Sequence, residues 1–542
     1  MNFSKINIWY VSSFLISIAV AIPIITVFAS FFEDTSNYFE ILKQTFFLEY
    51  IFNSLILLIG VIFVTFILGV GSAYLVSFYH FPGANFFKWA LILSFAVPPY
   101  IYAYSLFAFF ENYGTAFTIL KYLFGDGNYN KQIPKFDGMF GLILSISFSL
   151  YVYVYILARS SFLYQSQNLI ELGKNLGFSK LKSFYSIILP AARPAIVAGL
   201  ALVLMEVMSD FGTVEFFAVE TLTLGIFNIW LGMNNLTAAA QIAGMAFVFI
   251  LALLMMERWG RKGQRFYAGG SGNKSLPVKQ LSGGKAIACF GICITPIILG
   301  FIIPVSILLN FIIKGYAVAN LESLFSASIN SVSVALATAI IVIGTAIILV
   351  NVTTFHERSY PFLRSMSNFS ALGYAFPGAI LAIGVVSFAG IIDDSLVIFE
   401  GKIMGLPFDG FLIGSISLLI FGCVARFQAI GHGAIKSGIS RLSPNLMSAS
   451  YILGRSFSNS MVSLLPLLLR KSMLAGGLLV FVDVMKELPM TLLLRPFNFE
   501  TLATYVYQFA KDELLEEAAL AALMIIVVGI GPVILMNMSQ RK

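Results

Sequence analysis

The sequence predicts an all-α polytopic membrane protein, with about twelve transmembrane helices arranged as two homologous six-helix halves. Three observations lead there. The chain is 59% hydrophobic and only 11% charged, where a soluble domain carries about 25% charged residues. Apolar stretches of spanning length, roughly 17–25 residues, recur along it. The chain also repeats itself: Leu202 to Asp210 returns as Leu479 to Glu487, 277 residues later. The same offset relates Gly177 to Gly454, Ala198 to Ala475, Gly199 to Gly476 and Asn53-Ser54 to Asn330-Ser331. A repeat of half the chain implies two bundles related by a pseudo-twofold axis.

Taken in order, the expected spans lie near 8–31, 51–79, 88–110, 139–158, 195–214 and 236–256, then 286–313, 329–352, 368–391, 409–428, 471–489 and 517–536. The first has Lys5 ahead of it, as a signal peptide would, but its apolar run is too long for one and reads as an anchor. The halves are then 1–256 and 286–542, joined by 257–285. That link is polar and rich in Gly, Ser and Lys, which suits a flexible tether. It is too short for a soluble domain.

Placing the N-terminus in the cytoplasm puts most of the 33 basic residues on the inside, against only Glu171, Glu257 and Glu357. The outside loops are then acidic, with Glu33, Asp34, Glu40 and Glu49 in one and Asp393, Asp394 and Glu400 in another. Both termini come out cytoplasmic, as the positive-inside rule requires. The rule also accounts for the net charge of +7 without nucleic acid. Cys289, Cys293 and Cys423 sit in apolar runs and read as packing residues. His80, His356 and His432 are scattered and take no assigned chemistry.

One inside loop, about 165–193, carries a dense pattern. Glu171 is followed six residues later by Gly177, and Ile187, Leu189 and Pro190 close the segment. Gly177 breaks it into two short helical pieces that present Phe178, Leu181, Phe184 and Tyr185, rimmed by Lys174, Lys180 and Lys182. Exposed apolar residues rimmed by charge suggest a docking knob. Spacing and content resemble the EAA loop of ABC-importer permeases, with Leu172 in place of the first small residue. The second copy, about 436–470, is degenerate. It has Ser448 where the acid would be, then Ala449 and Gly454, and its Pro466 comes one residue early. The expectation is that both loops dock an ATPase, asymmetrically.

Further phrases resemble the two-half permeases of ferric-iron importers. They are Ala158-Arg159-Ser160-Ser161, the run from Asp210 to Glu215, the run from Lys486 to Phe497, and Glu500 to Thr504. The resemblance spans about Asn53 to Ile530. It implies a type I ABC-importer permease fold in a bacterial inner membrane, surrounded by lipid. It implies an ABC ATPase subunit, two copies in all, and an extracytoplasmic solute-binding protein. The implied cargo is ferric iron, free or chelated, with related permeases for thiamine, polyamines and phosphonates as alternatives. The permease itself would be no enzyme and would need no cofactor.

Two motifs mislead. Leu281-Ser282-Gly283-Gly284-Lys285 resembles an ABC ATPase signature, but no phosphate loop precedes it. Glu257 to Lys262 resembles a loop of major-facilitator transporters, the runner-up class, but stands in the central tether rather than after the second span. Tyr100, Tyr102 and Tyr104, with Tyr151, Tyr153 and Tyr155, read as interfacial aromatic belts.

Glu206 and Asp210 are four residues apart within an apolar segment, and so are Asp483 and Glu487, so each pair shares a helix face. Acids at membrane depth are costly unless they line a pathway or find partners. Four carboxylates about the pseudo-twofold axis would attract hard Fe(III). The competing reading makes them braces, with Lys486 beside Asp483 and Glu487, or backbone donors where Pro489 breaks the helix.

Overall fold

The computed structural model describes residues 8–30, 47–164, 175–233, 235, 237–246, 248, 279–315, 321–355, 361–370, 373–403, 411–443 and 445–540. The helices of the first half are α1 (Ile8–Ser30), α2 (Phe47–Phe78), α3 (Ala84–Ala90), α4 (Pro99–Phe110), α5 (Thr115–Phe124), α6 (Gly138–Tyr164), α7 (Leu189–Ser209) and α8 (Gly212–Phe216). Those of the second are α9 (Gly284–Ile297), α10 (Ile303–Ile313), α11 (Leu321–Phe355), α12 (Pro361–Ser370), α13 (Gly378–Ile403), α14 (Ile416–Ile439), α15 (Leu446–Ile452), α16 (Leu465–Met485), α17 (Pro489–Leu494), α18 (Leu502–Lys511) and α19 (Leu515–Gln540). The protein is an all-α multi-pass membrane protein. Among the described residues the one sheet is a two-residue parallel pair, Tyr79–His80 with Lys279–Gln280. The strand Lys279–Gln280 belongs to the expected tether, whose earlier part, 257–278, lies outside the described residues.

Nine helices among the described residues are long and apolar enough to cross a membrane. The pair Ala84–Ala96 and Pro99–Phe124 is long and apolar enough only when taken together, and it is bent by 94° at the break, the form of a broken span or a re-entrant loop. The expected uninterrupted span 88–110 is therefore corrected to a broken one. The cause is Pro98-Pro99. Proline lacks an N–H and pushes the residue before it out of the α region. Val97 is extended at φ −99°, ψ 108°. The ninth expected span, 368–391, is interrupted in the same way. α12 ends at Ser370, a 3-10 turn covers Gly373–Ala375, and α13 starts after Pro377. Of the sixth expected span, 237–246 are helical and the rest lies largely outside the described residues. The twelfth lies within α19.

Two compact units emerge, and they partition the chain differently from the sequence repeat. Unit 1 comprises Met1–Thr45, Gly225–Phe247 and Asn320–Gln508; unit 2 comprises Phe46–Leu224, Val248–Ala319 and Phe509–Lys542. Each unit thus takes the core of one half and the first span of the other. In unit 1, α1 packs against α11, α12 and α13. Thr26 Oγ1 donates to the Gly384 carbonyl at 2.8 Å, and Trp9 Nε1 to Ser458 Oγ at 2.8 Å. In unit 2, α10 packs against α4 and α19, and α19 also covers the turn Leu93–Ala96.

The repeat shows in hydrogen bonds as well. In unit 2, Asn53 Nδ2 donates to the Glu220 carbonyl at 2.9 Å, and the Leu222 N–H donates to Ser54 Oγ at 3.0 Å. In unit 1, Asn330 Nδ2 donates to the Glu500 carbonyl at 3.0 Å, and the Leu502 N–H donates to Ser331 Oγ at 2.6 Å. One Asn-Ser pair in each long helix holds the loop that follows the broken acid-bearing span.

Candidate functional site: interrupted spans, intramembrane acids and coupling loops

An interrupted helix inside a bilayer leaves carbonyls with no water to meet them, so protein groups must. In unit 2, α6 supplies those groups. Tyr151 Oη donates to the Leu91 carbonyl at 2.7 Å, Tyr155 Oη to the Lys88 carbonyl at 3.0 Å, and Ser149 Oγ to the Val97 carbonyl at 2.7 Å. Positions 151 and 155 share a helix face. These phenols are fully buried, and Tyr100, Tyr102 and Tyr104 are nearly so. The interfacial-belt reading is therefore corrected for five of the six: Tyr100, Tyr102, Tyr104, Tyr151 and Tyr155 are core residues, two of which service the break, while Tyr153 is half-buried.

In unit 1 the same register carries other chemistry. Adding 277 to 149, 151 and 155 gives Arg426, Gln428 and His432, all buried on α14. Arg426 Nη1 donates to Glu487 Oε1 at 2.6 Å. Gln428 Oε1 accepts from Thr345 Oγ1 at 2.9 Å, and His432 Nε2 lies 3.4 Å from Ser367 Oγ. The sequence reading passed over this polar stripe, although the repeat offset was enough to find it.

The four intramembrane acids divide into two kinds. α7 ends at Ser209, and the Asp210 carboxylate accepts the Thr213 N–H at 2.9 Å and the Thr213 hydroxyl at 2.6 Å. α16 ends at Met485, and Glu487 Oε1 accepts the Met490 N–H at 3.2 Å as well as Arg426. Each thus meets the first turn of the helix beyond the break, where N–H groups are unsatisfied and the helix dipole favours an anion. One turn earlier, Asp483 pairs with Lys486 Nζ at 2.8 Å, and Glu206 is half-buried on α7. Among the described residues no three His, Cys, Asp or Glu side chains gather into a metal site. The three cysteines are free and buried.

Of the acidic loops, Asp393 is described most fully. It lies within α13, and its carboxylate accepts the N–H groups of Phe411, Leu412 and Ile413 at 3.1–3.2 Å. Glu33, Asp34 and Glu40 lie outside the described residues.

The two loops expected to couple to an ATPase have one backbone plan. Glu171 and Lys174 lie outside the described residues. Gly177 and Gly454 both adopt φ > 0, at 69° and 80°, in open space. That left-handed turn costs an L side chain but not glycine. After each turn comes a short helix, then a π-turn, Phe184–Ile188 in one and Ser460–Leu464 in the other. Leu189-Pro190 and Leu465-Pro466 then open α7 and α16. A proline two residues into the helix withholds an N–H from the preceding turn, which favours the wider i→i+5 pairing.

Their surfaces differ. In the first loop Leu176 and Tyr185 are exposed, Phe178 holds Lys182 Nζ 4.3 Å from its ring centroid, and Phe184 packs against Tyr74 at 4.6 Å. Phe184 is thus partly committed to the protein interior. Of Leu181 only the backbone is described, in the short helix Lys180–Ser183. In the second loop Ser448 and Ala449 are exposed on α15, and Ile452 and Leu453 stand 86% and 79% exposed before Gly454.

Residues 65–259, which include the first of these loops, match the family described as binding-protein-dependent transport system inner membrane component. The chain is 26% identical over 495 residues to the Fe(3+)-transport system permease protein FbpB 2 of Haemophilus influenzae, covering 90% of this chain and 89% of that protein. It is 24% identical over 250 residues to the molybdate/tungstate transport system permease protein WtpB of Thermococcus kodakarensis, covering 45% of this chain and 91% of the relative. It is 26% identical over 212 residues to the sulfate transport system permease protein CysT of Escherichia coli, covering 36% and 72%.

Proposed function

We propose that this chain, which is a permease of an ABC importer, carries ferric iron, free or chelated, across the membrane. The observation that supports the cargo is similarity along nine-tenths of both chains to a permease named for Fe(3+) transport. The molybdate/tungstate and sulfate permeases align with less than half of this chain. ABC importers of this kind work with an ATPase and a binding protein.

In this reading residues 1–256 and 286–542 are the two halves of one pathway, joined by 257–285. Both termini face the ATPase. Two ATPase copies dock on the loops about 165–193 and 436–470, and an extracytoplasmic binding protein delivers cargo to the opposite side. Asp210 and Glu487 are braces, because each already satisfies backbone donors at a helix break. Glu206 and Asp483 are the acids assigned to the cargo route; Asp483 has Lys486 beside it, so the negative charge that favours a hard cation by electrostatics is chiefly that of Glu206.

Uptake of radiolabelled iron into vesicles, with and without ATP, against thiamine, molybdate and sulfate, tests the cargo. ATP-dependent iron uptake that the other solutes do not reduce is expected. ATP-dependent uptake of another solute in its place would move the chain to that branch. Glu206→Gln and Asp483→Asn should lower iron uptake while binding-protein-stimulated ATP hydrolysis persists. Loss of both together would make these acids braces too.

A further inference from the structure

α5 belongs to none of the sites above. It is a ten-residue helix with no buried residue. At 100° per residue its polar positions Thr115, Thr118 and Lys121 fall on one arc, and Ala116, Phe117, Ile119, Leu120, Leu123 and Phe124 on the other. Leu123 and Phe124 are 64% and 71% exposed, so the apolar arc of an amphipathic helix faces outward from unit 2. An apolar stripe of this kind normally seeks cover.

Its surroundings identify the cover. α6 reaches the coupling segment at its C-terminal end, so its first turn lies at the other end of the bundle. The segment carrying α5 joins that first turn to α4. It is pinned there by Phe136, whose ring stacks on Phe110 at 5.6 Å and meets Phe217, just beyond α8, at 5.8 Å. Phe140, in the first turn of the spanning helix α6, is 59% exposed, a further exposed aromatic at this end of unit 2. Tyr122, 90% exposed within the polar arc between Thr118 and Thr115, and Lys121 have the amphipathic form of interfacial anchors. Glu111, Asp126 and Asp137 balance Lys121, Lys131 and Lys135, so no net charge selects an anionic partner.

We propose that α5 lies in the membrane–water interface on the side opposite the coupling loops, with Ile119, Leu123 and Phe124 inserted among the lipid chains and Thr115, Thr118 and Lys121 in water. It anchors the free end of the interrupted third span. Helices of this composition partition into the headgroup–acyl boundary.

The test is site-directed spin labelling of the full chain in phosphatidylcholine vesicles, with labels at Leu123→Cys, Phe124→Cys and, on the polar arc, Thr118→Cys. Collision with oxygen, which concentrates in lipid, is compared with collision with a water-soluble nickel chelate. The oxygen-to-nickel ratio should be several-fold higher at 123 and 124 than at 118, and should not change when phosphatidylglycerol is added. Equal nickel access at all three sites would place the apolar arc in water and overturn the proposal. Shielding of 123 and 124 from both reagents would assign the face to a protein partner and overturn it equally.

Discussion

In unit 2 the carbonyls of the interrupted third span are met by neutral groups, the phenols of Tyr151 and Tyr155 and the Ser149 hydroxyl. In unit 1 the corresponding positions are Gln428, His432 and Arg426, and Arg426 brings a second charge with it, Glu487. The backbone plan is shared: a long helix with an Asn-Ser latch, a proline-broken span, and an acid capping the next helix. What differs is the chemistry at these positions: hydroxyl donors to the carbonyls of the broken span in one unit, and a buried ion pair to Glu487 in the other. Positions were kept through the repeat while the chemistry at them drifted. The unit holding a buried charge pair is the one most exposed to a single substitution.

The largest effect should come from breaking that pair. Arg426→Met removes the cation that faces the buried Glu487 carboxylate, which costs about 3–5 kcal/mol. The variant should accumulate poorly or melt at lower temperature, as read by fluorescence-detected gel filtration after heating. Arg426→Met combined with Glu487→Gln keeps a carbonyl oxygen for the Met490 N–H and removes both charges, and should recover most of the loss. If the double variant is no better than the single, the guanidinium does more in unit 1 than neutralise Glu487.

In unit 2 the matching change is Tyr151→Phe. It removes the donor to the Leu91 carbonyl, and a buried group left unsatisfied costs about 1–3 kcal/mol. The loss in thermal stability should be smaller than for Arg426→Met. A larger loss would reverse the ranking of the two units.

The coupling loops allow the comparison to be made functionally. Gly177→Asp and Gly454→Asp each force an L residue into a left-handed turn, at about 1–2 kcal/mol, and add charge at the loops proposed to dock an ATPase. Both variants should still insert, and both should lose ATP-driven uptake to a similar degree, since the two turns share one geometry. Unequal losses would mean that the degraded second motif has surrendered part of its docking, whatever its backbone.

The smallest effect, and the best check of symmetry, is at the latches. Asn53→Ala and Asn330→Ala each remove one hydrogen bond to a carbonyl, for about 1 kcal/mol. Near-equal shifts in melting temperature are expected. A difference of more than a factor of two would show that the loops at Glu220 and Glu500 are held by different forces.

Membrane class, most of the spans and the pairing of positions 277 apart can be read from the residues alone. These are legible because lipid imposes a long apolar run wherever a helix crosses. A repeat also carries its offset in plain letters, as at Asn53 and Asn330, Gly177 and Gly454, and Glu206 and Asp483. The bends in the third and ninth spans were missed because Pro98-Pro99 and Pro377 sit in segments that stay apolar across the break. Hydropathy averages over the geometry.

That α1 belongs with the core of the second half, and α10 and α19 with that of the first, emerges from helix packing. Nothing local encodes it, because a uniformly apolar helix will bury against any complementary surface. The fate of the acids was decided there as well. Spacing predicts Glu206 and Asp210 on one helix face, and Asp483 and Glu487 on another, but the helices end at Ser209 and Met485, so Asp210 and Glu487 fall past those ends. Which of them caps a helix, and which meets Arg426 or Lys486, depends on what the fold places within about 3 Å of each carboxylate oxygen, the range over which a hydrogen bond forms.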